Sequence, residues 1–148
     1  MECRKLEIII VSADNLPVVR NFGRMKVYAE VSINGESKTS KRTTVDKDRG
    51  TNPRWICSLD YTFKEASLQN QGLLVVVKLY CERTLEDRYI GEVKLPVKAL
   101  FDYGPRVENV LTYTVDGAGD GKLNILYSFG NMFMAPKPSV WKKAVWVM

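Results

Sequence analysis

Trp55, Cys57, Leu59, Tyr61 and Phe63 occupy alternate positions, and of the residues between them only Ile56 is apolar. This period of two constrains the fold more than any other feature of the chain. Successive side chains point to opposite sides only in an extended strand, so residues 55–63 predict a strand with one buried face. Val27, Ala29, Val31 and Ile33 alternate in the same way with Tyr28, Glu30 and Ser32, and Leu123, Ile125, Tyr127 and Phe129 share one face near the end. Asn34-Gly35 follows the second of these runs at once. That dipeptide favours the positive φ of a two-residue hairpin turn, so SKTSKRTT should return antiparallel beside its predecessor. From Glu36 to Thr44 there is no apolar residue, which predicts a strand buried on neither face, with its lysines exposed.

The rest of the chain is punctuated likewise. Lys5 to Ala13 and LLVVVKLY are apolar runs, the second read as a central strand, and RYIGEVKL and ENVLTYTV supply further strands. KEASLQNQG reads as one helical turn ended by Gly72, and PVKALFD as a short helix with proline at its first position. Asn52-Pro53 and GAGDG are turns. Eight short strands with brief connections predict an all-β antiparallel sandwich, and 148 residues make one domain.

Composition narrows the chemistry. The chain contains no histidine, which removes Ser/His/Asp and Cys/His catalysis and imidazole ligation of metals. No convergent set of carboxylates or lysines replaces them, so no enzyme is expected. Cys3, Cys57 and Cys81 are an odd number at wide spacings and read as buried thiols of a reducing compartment. The apolar run Ile8–Val11 is too short for a signal peptide or a membrane span. The net charge of +5 is uneven: residues 20–49 carry eight Lys/Arg against four Asp/Glu, and residues 131–148 three lysines and no acid. Such asymmetry favours an anionic partner surface. Nucleic acid is not expected, because the basic strand lacks interleaved aromatics for stacking.

The succession LEIIIVSADNLP, VYAEVSI, NPRW, YIGEVKLPVKAL and GKLNILYSFG resembles a C2 domain. FGRMKVYAEVSI and TTVDKDRGTNPRW make it similar to the small plant C2 proteins of the cold-regulated, elicitor-responsive or BONZAI-associated type. The resemblance implies an eight-stranded C2 β-sandwich of type II topology over residues 1–130, with short helical turns in the connections and an apolar, basic tail over 131–148. It also implies peripheral membrane binding in plant stress or defence signalling, in the cytoplasm and on the plasma membrane.

Many C2 domains bind calcium through loop aspartates, and the resemblance puts Arg20 and Lys26 where such acids stand. A fixed cation repels the ion, so no cofactor is expected, calcium included. Glu82, Glu86 and Asp87 are the nearby carboxylates, open to being weak ligands or a solvated loop paired with Arg83 and Arg88. The first loop, with Val18, Val19, Arg20, Phe22, Arg24 and Lys26, is the candidate phospholipid contact, supplying permanent charge and apolar insertion. The alternative is that Val18 and Phe22 pack beneath the loop. Lys38, Lys41, Arg42 and Lys47 are candidates for a lipid head group, or else protect an edge strand. In the tail, a helix from Ser139 sets Val140, Trp141, Ala144, Val145 and Met148 opposite Lys142 and Lys143, with Trp146 breaking the polar face. A strand or hook packed on the sandwich is the rival, so Trp141, Lys142, Lys143 and Trp146 are candidate membrane or partner contacts. The leading expectation is calcium-independent docking on anionic membrane lipids. The other two are a protein-interaction adaptor, whose partner is a membrane-associated or signalling protein, and calcium-dependent lipid binding.

Overall fold

The computed structural model describes residues 1–20, 22–136 and 146–147. Strands β1 (Glu2–Asp14), β2 (Val27–Ile33), β3 (Glu36–Arg42), β4 (Arg54–Lys64), β5 (Leu74–Cys81), β6 (Arg88–Pro96), β7 (Leu111–Thr114) and β8 (Lys122–Phe129) form the sandwich. Two short strands follow, β9 (Phe133–Met134) and β10 (Trp146–Val147). One sheet runs β10-β4-β1-β8-β7, with β9 beside β1, and the other runs β3-β2-β5-β6. All eight principal strands pair antiparallel, as the alternation predicts.

The inner faces are the ones the period of two marked. Leu6, Ile8, Ile10, Leu123, Ile125, Tyr127 and Phe63 from one sheet meet Val27, Val31, Ile33, Val75, Val77 and Leu79 from the other, all buried. Two buried tyrosines tie layers together through their hydroxyls. Tyr61 reaches the carbonyls of Thr39 at 2.7 Å and Val31 at 3.0 Å in the facing sheet, and Tyr127 reaches Leu100 O at 2.6 Å. Burial pushes the Tyr127 phenol up to about 12, so it stays a donor at any physiological pH.

Asn34 and Gly35 both take positive φ, 54° and 74°, and close the expected β2–β3 hairpin with Ile33 opposite Glu36. The 3-10 turn Glu65–Gln69 and helix α1 (Val97–Tyr103) fill the predicted connections, with Pro96 at the N-cap of α1 and not in its first turn. Between Ile10 and Ser12 of β1 the partners in β4 jump from Cys57 to Arg54, a bulge that holds Ile56 at φ 46° with its side chain exposed.

The third strand departs from expectation. Thr39 is buried, and so is Thr43 just beyond the strand. Their hydroxyls are satisfied: Thr39 Oγ1 accepts from Ile33 N at 2.8 Å and donates to Glu36 O at 2.7 Å, while Thr43 Oγ1 accepts from Ala29 N at 3.0 Å. A hydrogen-bonded threonine is tolerated against the core where an unpaired one is not.

Trp146 and Val147 run parallel to β4, opposite Thr62 and Phe63. A strand therefore replaces the helical reading at those two residues. Trp141, Lys142 and Lys143 lie outside the described residues. No helix among the described residues is long and apolar enough to cross a membrane.

Candidate functional site

Antiparallel pairing sends four connections to one end of the sandwich: β1–β2 (15–26), β3–β4 (43–53), β5–β6 (82–87) and β7–β8 (115–121). Their bases are tied together by backbone. Leu16 N donates to Thr51 O at 3.0 Å, Val27 and Asp46 exchange both bonds, and Glu82 N donates to Lys26 O at 2.7 Å. Asn15 N donates to Asn52 Oδ1 at 2.8 Å. Beneath them Asp46, with a side chain only 3 % exposed, accepts from the backbone N–H groups of Asp48, Arg49 and Arg54 at 2.8, 2.9 and 2.9 Å.

Above this base the loops carry apolar apices. Val18 is 72 %, Phe22 85 % and Leu85 100 % exposed, while Val19 alone of the first-loop valines turns down onto the core. The alternative in which Val18 and Phe22 pack under the loop is not what the chain adopts. Between the first and third loops lies a cleft of about 760 Å³ lined by Arg20, Phe22, Arg83, Thr84, Leu85, Glu86 and Asp87, with Arg88 and Tyr89 closing it. A recess of about 370 Å³ beside it is lined by Arg20, Lys26, Glu82, Arg83, Thr84 and Asp87.

The cations here are not neutralised. Arg20 Nε donates to Phe22 O at 2.6 Å and Arg24 to Asp48 O at 2.5 Å, both uncharged carbonyls. Among the described residues, Arg20, Arg24, Lys26, Lys47, Arg83 and Arg88 form no ion pair.

The basic strand is arranged otherwise. Lys38 pairs with Glu36 at 3.3 Å, and Arg42 pairs with Glu30 at 3.2 Å while lying 4.8 Å over the Tyr28 ring. Lys41 reaches across the sandwich edge to the carbonyl of Asp60, its ammonium 4.5 Å over the Tyr61 ring. Each of these three cations thus has a partner within the domain. Lys47 belongs to the loop end instead.

Of the three carboxylates, Asp87 is engaged on both oxygens. Tyr28 Oη donates to Oδ2 at 2.5 Å and Arg83 N to Oδ1 at 3.2 Å. The Tyr28 bond, and after it the Arg83 amide, hold the Asp87 carboxyl below the usual carboxylate range. Burial, and then that same bond, push the Tyr28 phenol well above its ordinary value. Glu82 and Glu86 form no ion pair with Arg83 or Arg88, and no group of three His, Cys, Asp or Glu is gathered for a metal among the described residues. Sequence reasoning missed Leu85 and the contribution of Arg83 and Arg88 to the cluster. The signal available was a lone leucine at the centre of the otherwise charged and polar RTLED.

A C2-domain family model matches residues 4–112, and the chain belongs to the C2 family, whose members are non-catalytic membrane- and lipid-binding modules. Among curated proteins it is 37 % identical to "Protein SRC2 homolog" of Arabidopsis thaliana over 138 residues, covering 90 % of this chain and 43 % of that protein. It is 34 % identical to "Protein SRC2" of Glycine max, covering 97 % of this chain and 52 % of that one. The chain therefore spans about half the length of these relatives. In fold it is similar to a C2 domain of plant Extended Synaptotagmin 1, with a TM-score of 0.70 at 18 % identity over 88 % of this chain and 96 % of that one. Human GIVD cytosolic phospholipase A2 also aligns, with a TM-score of 0.69 at 16 % identity over 87 % of this chain and 17 % of that one.

Proposed function

We propose that this C2 domain docks peripherally on anionic phospholipid through its loop end, and that it does so without calcium. One observation carries the reading: six cations without an ion pair among the described residues stand at the same end of the sandwich as the exposed Val18, Phe22 and Leu85. Each Lys or Arg near an anionic leaflet contributes about 1 kcal/mol, so six supply roughly 6 kcal/mol before association costs. Apolar tips that enter the interface add to this.

Calcium takes six to eight oxygen ligands, largely carboxylate. The recess between the first and third loops offers Glu82 and Asp87 against Arg20, Lys26 and Arg83, and Asp87 is already occupied by Tyr28 and Arg83. This donor set does not fit the ion. The permanent cations take over the attraction that a bound metal would otherwise provide. The setting, plant stress or defence signalling at the cytoplasmic face of the plasma membrane with a membrane-associated signalling partner, is supported by the resemblance to small plant C2 proteins.

Cosedimentation with phosphatidylserine and phosphoinositide vesicles, with calcium and with chelator, tests the reading. Binding should survive chelator and be lost in Arg20→Glu/Lys26→Glu. Binding that requires calcium, or no binding at all, would overturn it.

A further inference from the structure

We propose that Thr84 is a phosphorylation site for an acid-directed serine/threonine kinase, and that its phosphate releases the loop end from the membrane. The regulatory half rests on the docking reading above; the acceptor site does not.

Thr84 stands at the apex of the β5–β6 connection, between Arg83 and the fully exposed Leu85. Its hydroxyl has no hydrogen-bond partner among the described residues. The bonds that hold this loop are at its base, Glu82 N to Lys26 O, Arg83 N to Asp87 Oδ1 and Tyr28 Oη to Asp87 Oδ2, and Thr84, Leu85 and Glu86 make none among the described residues. Three exposed residues without backbone bonds can be drawn out into a kinase cleft without breaking the sandwich. The sequence T-L-E-D places carboxylates two and three residues after the acceptor, the pattern read by a kinase with a basic substrate groove. Thr43 and Thr62 also have an acid three residues on, but Thr43 is buried with its hydroxyl bonded and Thr62 lies inside β4.

In the reaction the γ-phosphoryl group of a nucleoside triphosphate passes to Thr84 Oγ1. The new O–P bond forms as the bridging β–γ bond breaks, the nucleoside diphosphate leaves, and the hydroxyl proton goes to the kinase's catalytic carboxylate.

The position gives the modification its effect. The cleft lining holds Arg20, Arg83 and Arg88 against Glu86 and Asp87, one positive charge in excess. A phosphothreonine brings about −1.5 to −2 at pH 7. The sign of the cleft therefore reverses, and three guanidiniums gain an internal anion that competes with lipid phosphate.

The full chain is incubated with an acid-directed kinase of the casein-kinase class and a nucleoside triphosphate, and the phosphate is located by peptide mass spectrometry with Thr84→Ala as the acceptor control. Phosphorylated and unphosphorylated chains are then compared on phosphatidylserine vesicles in chelator. Phosphate should appear on Thr84 and weaken binding about 30-fold, and Thr84→Glu, with one charge, about fivefold. Phosphate placed elsewhere, or none taken up, overturns the site. Equal binding by both forms and by Thr84→Glu overturns the switch alone. An unphosphorylated chain that does not bind overturns the docking reading and the switch with it.

Discussion

Asp46 does at the scale of one residue what a metal does in other loop clusters: it gathers the backbone amides of the β3–β4 connection and the start of β4 around a charge. Burial alone would raise its pKa, but the amides of Arg54, Asp48 and Arg49 and the Arg49 guanidinium outweigh this and hold it below the usual carboxylate range. A depressed folded pKa means the stabilisation is complete above the ordinary value, near 4, and is lost as pH falls through the lower folded value. Asp46→Asn should therefore cost about 1–3 kcal/mol in urea unfolding at neutral pH. The difference between variant and wild type should shrink below about pH 4. A gap of the same size at pH 3 would show that the ionised form is not what matters.

At the scale of the element, β3 shows how a strand without an apolar residue joins a core. Thr39→Val keeps the shape but strips the partner from the Ile33 N–H, and should cost about 1–3 kcal/mol, whereas Thr39→Ser should cost less because both bonds remain. Chemical denaturation of the pair distinguishes a hydrogen-bonding role from simple filling of space. The same strand marks the limit of what the sequence discloses. Alternation, apolar runs bounded by turn residues and the Asn34-Gly35 turn identify eight strands, since all these signals are local. Whether Thr39 faces in depends on a hydroxyl finding two backbone partners, which hydropathy does not register. The pairing of Trp146–Val147 depends on a partner more than eighty residues away. The first-loop cations Arg20, Arg24 and Lys26 were legible because they fall within seven residues of one another. Leu85, Arg83 and Arg88 join them only through the antiparallel pairing that brings distant loops to one end, and the Tyr28–Asp87 bond spans 59 positions.

At the scale of the whole molecule, cations without ion pairs and exposed apolar tips meet at the loop end of the sandwich. Leu85 is fully exposed, so Leu85→Ala should leave unfolding stability within about 0.5 kcal/mol of wild type. On the docking reading, the same variant should weaken vesicle binding about tenfold, measured by cosedimentation at fixed lipid. Unchanged binding would confine Leu85 to the aqueous side. Guanidiniums and apolar tips are separate side chains at the same end of the sandwich, so on the docking reading arrival and departure fall to different residues. On the docking reading, long-range attraction by Arg20, Arg83 and Arg88 sets how often the domain meets the lipid surface, a rate that added salt slows. On the same reading Phe22 and Leu85, whose contacts form only after touchdown, set how long it stays. If the domain docks this way, residence time and encounter frequency can be altered independently, each by substitution at one end of the sandwich.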